Sequence, residues 1–325
     1  MKNILVTGGA GYIGSHIIEI LVKNKYKVVI VDNLITGHKK LINRKAKFYK
    51  LNILQKKKLR KIILENEIDS VIHLAASLSV GVGEKFPKRY YKNNVIATQS
   101  LIDSCKHTNV KNFIFSSTAA VYKDGLQKVS EKSPIKPVSV YGKTKLKAEN
   151  LIIKNCKKYK INYGVLRYFN VVGSSPTGKI GLINNGDHLF KNFSKEILKK
   201  KPKFKIYGKD YNTPDKTTIR DYVHVSDLAE IHIKVLNTIK LIKKSVILNC
   251  GYGKGVSVLQ TANEFKRQSK KKVKIQIQNR RAGDMKIIVA TNKKLIKLTK
   301  WKSKYNNLNF LVKSSIAWER KLLRK

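Results

Sequence analysis

Along the first half of the chain, short runs of continuous apolar residues alternate with stretches in which apolar positions recur every three or four residues. "KNILVTGG" (2–9) is a β-rich run ending in glycines, "YIGSHIIEILVKN" (12–24) has helical spacing, and "KVVIVDN" (27–33) is again a continuous apolar strand. The alternation continues through "KAKFYKLNI", the basic helix "LQKKKLRKIILENE", the strand "DSVIHLAA" and a helix near "RYYKNNVIATQSLIDSCKHT". The strand "NFIFSST", the helix "YGKTKLKAENLIIKNCKKY" and the strand "YGVLRYFN" carry it to about residue 170. Strand and helix repeated in this way predict an α/β fold, a Rossmann-type doubly wound parallel sheet.

After residue 170 the pattern loosens into "VVGSSPTGKIGLINNGDH" (171–188), rich in Gly, Asn and Ser, which predicts a smaller lobe over the strand ends. "RDYVHVSDLAEIHIKVL" (220–236) and "SVILNCG" (245–251) read as a helix and a strand rejoining the sheet. The expected division is a first domain over 1–170, rejoined by 223–250, and a smaller C-terminal α/β lobe over 171–325.

Composition narrows the class. At 325 residues with 42% hydrophobic content the chain can bury a large core. No apolar run reaches the roughly 18 to 20 residues that span a bilayer, and the run after Met1 leads into "TGGAGYIG" rather than a cleavage site. A cytoplasmic protein without a membrane partner is the expectation. Cys105, Cys156 and Cys250 are odd in number, far apart and without metal-ligand spacing, so reduced thiols and no metal are expected.

The net charge of +49 raises nucleic acid as a partner, because basic surfaces attract phosphates and gain from counterion release. The basic residues are scattered, however, and the excess is mostly Lys accompanied by Ile and Asn, the residues that AT-rich codons write. Runs such as "QKKKLRK" (55–61), "KEILKKKPKFK" (195–205) and "KRQSKKKVK" (266–274) read as solvated helix faces or ends. Nucleic acid is not expected to bind.

Two local patterns carry chemistry. Gly8, Gly11 and Gly14 follow a strand and open a helix, and Asp32 ends the next strand. Glycines permit a tight turn and close backbone approach, the helix N-terminus offers N–H donors to a pyrophosphate, and a carboxylate accepts from an adenosine ribose. Asp32 would repel a ribose 2′-phosphate and no Arg follows it in "DNLITG", so NAD is expected rather than NADP. The second pattern is "VSVYGKTKLKAE" (138–149), in which Tyr141, alone among the 15 tyrosines, has Lys four residues on. Four residues apart on a helix, Tyr141 and Lys145 share a face. His188 and His224 have no nucleophile beside them and read as a loop contact and a buried hydrogen-bonded residue.

"TGGAGYIGSH", "VDNL", "HLAA", "YYKNNV", "FIFSST", "YGKTK", "LRYFN", "RDYVHVSDLA" and "RRAGD", in this order and spacing, resemble the extended short-chain dehydrogenases that act on nucleotide sugars, the NAD-dependent epimerase/dehydratase family. The resemblance runs from Ile4 to about Trp318. It implies catalytic roles for Thr118, Tyr141 and Lys145, and cofactor contacts from Gly8, Gly11, Tyr12, Ile13, Gly14, Asp32, Asn33, Ala75 and Asn94 as well as Tyr141 and Lys145. It implies substrate contacts from Thr118, Asn170, Arg220, Arg281 and Asp284, a UDP-sugar substrate, an NAD-binding domain over 1–170 and a UDP-sugar-binding lobe over 171–325. The implied activity is 4-epimerisation of a UDP-hexose, UDP-glucose to and from UDP-galactose, through a transient 4-keto sugar. Tyr141 would be the base, its phenol lowered to roughly 7 at a cost of about 4 kcal/mol of phenolate stabilisation from Lys145 and the nicotinamide charge. A homodimer through helices near 86–107 and 141–160 is implied as well.

Departures from the family pattern bear on specificity. Asn52 stands where an Asp often contacts adenine, Lys123 and Val140 replace a glycine and a proline, and Leu78 stands where some members have a lysine. Ile288 takes the position of a tyrosine that limits sugar size, leaving a UDP-N-acetylhexosamine or a UDP-pentose as alternative substrates. Sugar dehydratases carry an acid just after the hydroxyl, and here Ala119 and Ala120 occupy that place, which favours epimerisation. An alternative of another class, a catalytically silent RNA-binding relative, is opposed by the intact Thr118, Tyr141 and Lys145. Arg220, apart from binding a UDP pyrophosphate, has the plainer reading of an ion pair with Asp221 or Asp227.

Overall fold

The structure, a computed structural model, describes residues 2–281 and 284–324. The apolar runs of the first half become strands and the periodic stretches become helices: β1 (Asn3–Thr7), α1 (Tyr12–Lys23), β2 (Lys27–Asp32), β3 (Lys47–Lys50), α2 (Lys56–Glu65), β4 (Ser70–His73), α3 (Val80–Lys85), α4 (Pro87–Tyr91), α5 (Ala97–Ser104), β5 (Asn112–Thr118), β6 (Lys128–Val129), α6 (Val140–Lys158) and β7 (Asn162–Tyr168). There follow β8 (Asn170–Val172), α7 (Leu189–Ile197), β9 (Lys203–Tyr207), β10 (Ile219–His224), α8 (Val225–Ile242), β11 (Val246–Cys250), β12 (Gly255–Ser257), α9 (Val258–Ser269), β13 (Lys274–Gln278), β14 (Ile287–Ala290), α10 (Lys293–Thr299) and α11 (Leu308–Leu323).

Seven strands form one parallel sheet in the order β11-β7-β5-β4-β1-β2-β3. Strands pointing to both faces with apolar side chains need cover on both, and the helices supply it. Ile4, Val6 and Ile30 pack with α1 and α8 on one side, while Leu5, Val29 and Phe113 pack with α2, α5 and α6 on the other. Strand order reverses between β1 and β4, and the crevice for a ligand in such sheets opens at that switch point, beyond the carboxyl ends of the strands. Gly8, Asp32, Ala75 and Thr118 all lie at those ends.

The structure departs from the sequence-based expectation in three places. The helix expected over 89–108 is interrupted by one π-helical turn, Lys92–Ile96, which carries Asn94; such turns often mark functional sites. The strand expected to run through "YGVLRYFN" ends at Tyr168, and Asn170 opens β8 in a second sheet, beside Tyr222 of β10. The helix expected from Arg220 begins only at Val225, because Ile219–His224 is strand β10, and the His224 Nδ1 accepts from Ser226 N to cap α8. The second sheet, β12-β10-β14-β6 with β8 on β10, stands at the carboxyl ends of β5 and β7, and β9 pairs with β13 beyond it. Among the described residues no helix is long and apolar enough to cross a membrane.

Candidate active site

The turn between β1 and α1 is walled by its own backbone. Gly8 has φ +73°, and a Cβ there would lie 2.7 Å from Ala75 N; at Gly14 a Cβ would lie 2.4 Å from the Gly8 carbonyl oxygen. Only glycine fits either position without displacing backbone. The N-cap of α1 is Gly11, with no side-chain cap and no acid in the first turn, so its leading N–H groups remain free for an anion. Asp32 is buried at the end of β2 and accepts from Ala10 N (3.1 Å) and Leu34 N (2.8 Å). Burial nonetheless holds its carboxyl above the usual carboxylate range. A glycine cradle, an uncapped helix start and a carboxylate beside them fit the diphosphate and adenosine ribose of a dinucleotide.

The other residues expected at the cofactor are placed around this turn. Tyr12 donates its hydroxyl to Gly173 O (2.6 Å), tying α1 to the segment after β8, and Ile13 packs on the α1 side of the sheet. The exposed Asn33 accepts from Ile35 N (3.1 Å). Asn94 is buried and heavily engaged: Ser77 N donates to its Oδ1 (2.7 Å), while its Nδ2 donates to Ser77 O and to Thr144 Oγ1 (both 3.1 Å). It thereby ties the loop after β4 to α6, leaving one lone pair of its amide oxygen free. Neither Ser77 nor Thr144 stands out in the sequence.

Thr118, Tyr141 and Lys145 meet where β5 ends and α6 begins. Ser139 caps α6, accepting from Gly142 N (3.1 Å), so the helix starts just before the tyrosine. Thr118 accepts from Ala120 N (3.1 Å) at the end of β5. That bond is the strand-end cap expected as the plainer reading of Thr118. Burial pushes the Tyr141 phenol up to about 12, with Thr118 the one lowering influence. Lys145 is 2% exposed, with Nζ 4.5 Å from the centre of the Phe115 ring. Burial brings its ammonium down to about 7, opposed by the Glu149 charge.

Behind Lys145 lies a buried network that sequence reading did not find. Glu149, one turn further along α6, accepts from Arg167 Nη2 (2.8 Å) and Nε (3.1 Å) and from Ser117 Oγ. Arg167 also donates to Tyr122 OH (3.1 Å), which donates to Asn249 Oδ1 (2.6 Å). Glu149 at four residues past Lys145 was the one local signal.

The residues expected at a pyrophosphate gather between β10 and β14. Asp284 accepts from Arg281 Nε (2.9 Å) and lies 3.6 Å from Arg220 Nη2, bridging the two arginines. Arg220 thus pairs with neither Asp221 nor Asp227. Asp221 instead accepts from Tyr252 N, Gly253 N and Ala290 N, and Asp227 accepts from Tyr252 OH, Lys304 N and Tyr305 N. Within "RRAGD", Ala282 and Gly283 lie outside the described residues. Two tyrosines from the β9 end were missed by sequence reading: Arg281 stacks on Tyr207 (4.9 Å) and Arg280 on Tyr211 (4.2 Å). Asn170 is exposed, two residues past Tyr168, where β7 passes into β8. Among the described residues no group of three or more metal-ligating side chains converges.

A dinucleotide-binding α/β protein of the short-chain dehydrogenase type is the class that this sheet and the Tyr141–Lys145 pair define. The sequence profile of the NAD dependent epimerase/dehydratase family matches residues 4–251, and the chain belongs to that family. It is 38% identical over 321 residues to the UDP-glucose 4-epimerase of Lactobacillus helveticus, covering 98% of this chain and 97% of that protein. The crystal structure of the UDP-glucose-4-epimerase of Stenotrophomonas maltophila, with bound NAD and formylated UDP-arabinopyranose, superposes with a TM-score of 0.95 at 31% identity, over 100% of this chain and 99% of that one. The UDP-Glc/GlcNAc 4-epimerase of Campylobacter jejuni superposes with a TM-score of 0.86 at 34% identity, over 99% and 100% of the two chains.

Proposed function

We propose that the protein is an NAD-dependent UDP-hexose 4-epimerase that interconverts UDP-glucose and UDP-galactose. The observation that carries this is Tyr141, one helical turn from the buried Lys145 on α6, with Thr118 at the end of β5 and alanines at 119 and 120 where a dehydratase would need an acid. Relatives named for this activity match nearly the whole chain, which supports the reading.

The placement supports the following roles. Gly8, Gly11 and Gly14 with the start of α1 would hold the cofactor diphosphate, Asp32 would accept from its adenosine ribose, and Tyr12, Ile13, Asn33, Ala75 and Asn94 would line its course. NAD, when bound, supplies the reversible two-electron acceptor for C4 of the sugar. Tyr141 takes the 4-hydroxyl proton and later returns it, and Thr118 steadies the reacting oxygen. Lys145 stabilises the phenolate and orients the cofactor ribose. Arg220 and Arg281 grip the diphosphate of UDP as forked donors, Asp284 serves its ribose, and Asn170 helps place the sugar. With the phosphates anchored, the 4-keto sugar can present its other face. The chain divides functionally into an NAD-binding part over 1–170, rejoined by 223–250, and a UDP-sugar lobe over the remainder of 171–325.

A second reading concerns the sugar. Ile288 is 4% exposed and packs with Ala119 and Phe169, neighbours of Thr118 and Asn170, so its shorter side chain bears on the room beside the hexose. That favours acceptance of UDP-N-acetylhexosamines alongside UDP-hexoses. Comparing kcat/KM on UDP-galactose and UDP-N-acetylgalactosamine separates the two: a protein carrying NAD that converts neither sinks the proposed activity. We also read the protein as a homodimer. Val82, Phe86, Tyr91 and Ile96 are exposed along the helices that pack beside α6, a face suited to a second copy, and light scattering at the mass of one chain would remove that reading.

A further inference from the structure

The loop after β2, residues 33–38, folds back on the glycine turn. Leu34 N donates to Asp32 Oδ1 (2.8 Å), His38 N donates to Ala10 O (2.9 Å), and a Cβ on Gly37 would lie 2.7 Å from Asp32 Oδ1 and 3.0 Å from Ala10 Cβ. The loop therefore flanks the carboxylate read as the partner of an adenosine ribose. Its path is not a relaxed one, since Leu34 has φ +61°, the left-handed region that a leucine side chain disfavours. Such a backbone persists where its surroundings hold it.

A distant segment supplies a hold. Asn184 Nδ2 donates to Thr36 O (2.7 Å), and Asn184 Oδ1 accepts from His38 Nε2. A backbone carbonyl only accepts, so the bond to Thr36 fixes the amide with its oxygen towards His38, whose Nε2 then carries the proton. One side chain thus grips the loop at two points. Asn184 itself stands on a fixed base: a Cβ on Gly181 would lie 2.6 Å from Trp318 Cδ2, and Leu182 O accepts from Trp318 Nε1 (2.8 Å) and from Lys191 Nζ (3.0 Å). Lys191 pairs in turn with Glu319, both buried. Helices α7 and α11 clamp the segment that presents Asn184, whereas the loop it grips is half-buried to exposed and has no helix or strand of its own. A loop of that kind opens at little cost unless something outside it intervenes.

We propose that Asn184 keeps the 33–38 loop closed beside the adenosine end of NAD, so that the cofactor leaves only when this contact opens. This rests on the reading of Asp32 and the glycine turn as the seat of the adenosine ribose and diphosphate, and it makes Asn184 a positioning residue for cofactor retention. The test incubates the NAD-loaded protein with excess deuterated NAD, removes free nucleotide and weighs the bound nucleotide by mass spectrometry after denaturation. Asn184→Ala should exchange NAD roughly five- to fiftyfold faster than the parent, the range for losing one or two hydrogen bonds. UDP affinity by calorimetric titration should stay within twofold. His38→Ala removes one of the two bonds from the other side and should also speed exchange, while the double variant should be no faster than Asn184→Ala within twofold. Exchange by Asn184→Ala within twofold of the parent overturns the proposal, as does a double variant in which the two effects multiply. Faster exchange accompanied by an equal loss of UDP affinity also overturns it, because the contact would then merely support the fold. A parent that cannot be loaded with NAD strikes the cofactor reading itself; a parent and a variant that hold NAD equally well strike only the role of Asn184.

Discussion

Tyr141 and Lys145 stand one helical turn apart on α6, and burial moves their proton affinities in opposite directions, the phenol up to about 12 and the ammonium down to about 7. Without cofactor the phenol thus stands far above the value near 7 that the sequence reading assigns to Tyr141 with Lys145 and the nicotinamide charge together. Moving it from about 12 to about 7 takes roughly 7 kcal/mol of preferential phenolate stabilisation, which the site must draw from added positive charge as well as from Lys145. On this account the base is armed only when cofactor is in place, which guards an otherwise reactive pair.

Tyr141→Phe should cut kcat by roughly 10²–10⁴-fold, the usual contribution of a positioned acid–base group, while leaving UDP binding intact. Steady-state rates paired with UDP titration check this. Turnover within threefold of the parent would assign proton transfer elsewhere.

Gly14→Ala places a methyl group 2.4 Å from the Gly8 carbonyl oxygen, with no flexible side chain to give way. The cofactor turn must shift, so the variant should be purified with much less NAD than the parent. Absorbance of the released nucleotide after denaturation measures it. Full occupancy would mean that the turn relaxes without consequence.

Acid should destabilise the fold before it affects exposed carboxylates. His16, His73, His224 and His232 are buried, and burial lowers them to about 4, 3, 3 and 4. Their folded values lie below the unfolded value of about 6.5, so the stability they contribute is present above pH 6.5 and lost as pH falls from there towards 4. Each adds up to about 1.4 kcal/mol per pH unit in that window. Melting temperature should drop steeply between pH 6.5 and 5, and a flat profile would show that these imidazoles are solvated or charged in the native state.

The Glu149–Arg167 pair is buried on both sides, with side chains 1% and 3% exposed. Arg167→Met alone strands a carboxylate and should cost about 3–5 kcal/mol. Adding Glu149→Gln should recover part of the loss. Denaturant unfolding of the two single variants and the double variant measures the coupling, and strict additivity would mean that the pair does not act as a unit.

Much of this architecture was legible because the sheet is parallel and buried on both faces, which writes strands as apolar runs and helices as 3.6-residue patterns. The glycine turn with Asp32 and the Tyr141–Lys145 spacing are local in sequence, and so readable. Contacts between distant segments are not: Arg220 finds Asp284 rather than the nearer Asp221, because three backbone N–H groups already claim Asp221. The same holds for Arg167 on Glu149 and for Tyr211 beneath Arg280. The split at Phe169 is hidden because neither Gly nor Pro marks the point where "LRYFNVV" passes from one sheet to another, and the pairing of Asn170 with Tyr222 reveals the change.

The central claim is that C4 of a UDP-hexose is oxidised and reduced in place by a cofactor the protein keeps. Incubating the purified protein, without added nucleotide, with UDP-galactose in D₂O and following the sugar by NMR tests it most directly. The account predicts that UDP-glucose appears with ordinary hydrogen at C4, because that hydrogen leaves and returns without exchanging with solvent. Deuterium at C4, or no conversion by protein shown to carry NAD, would contradict it.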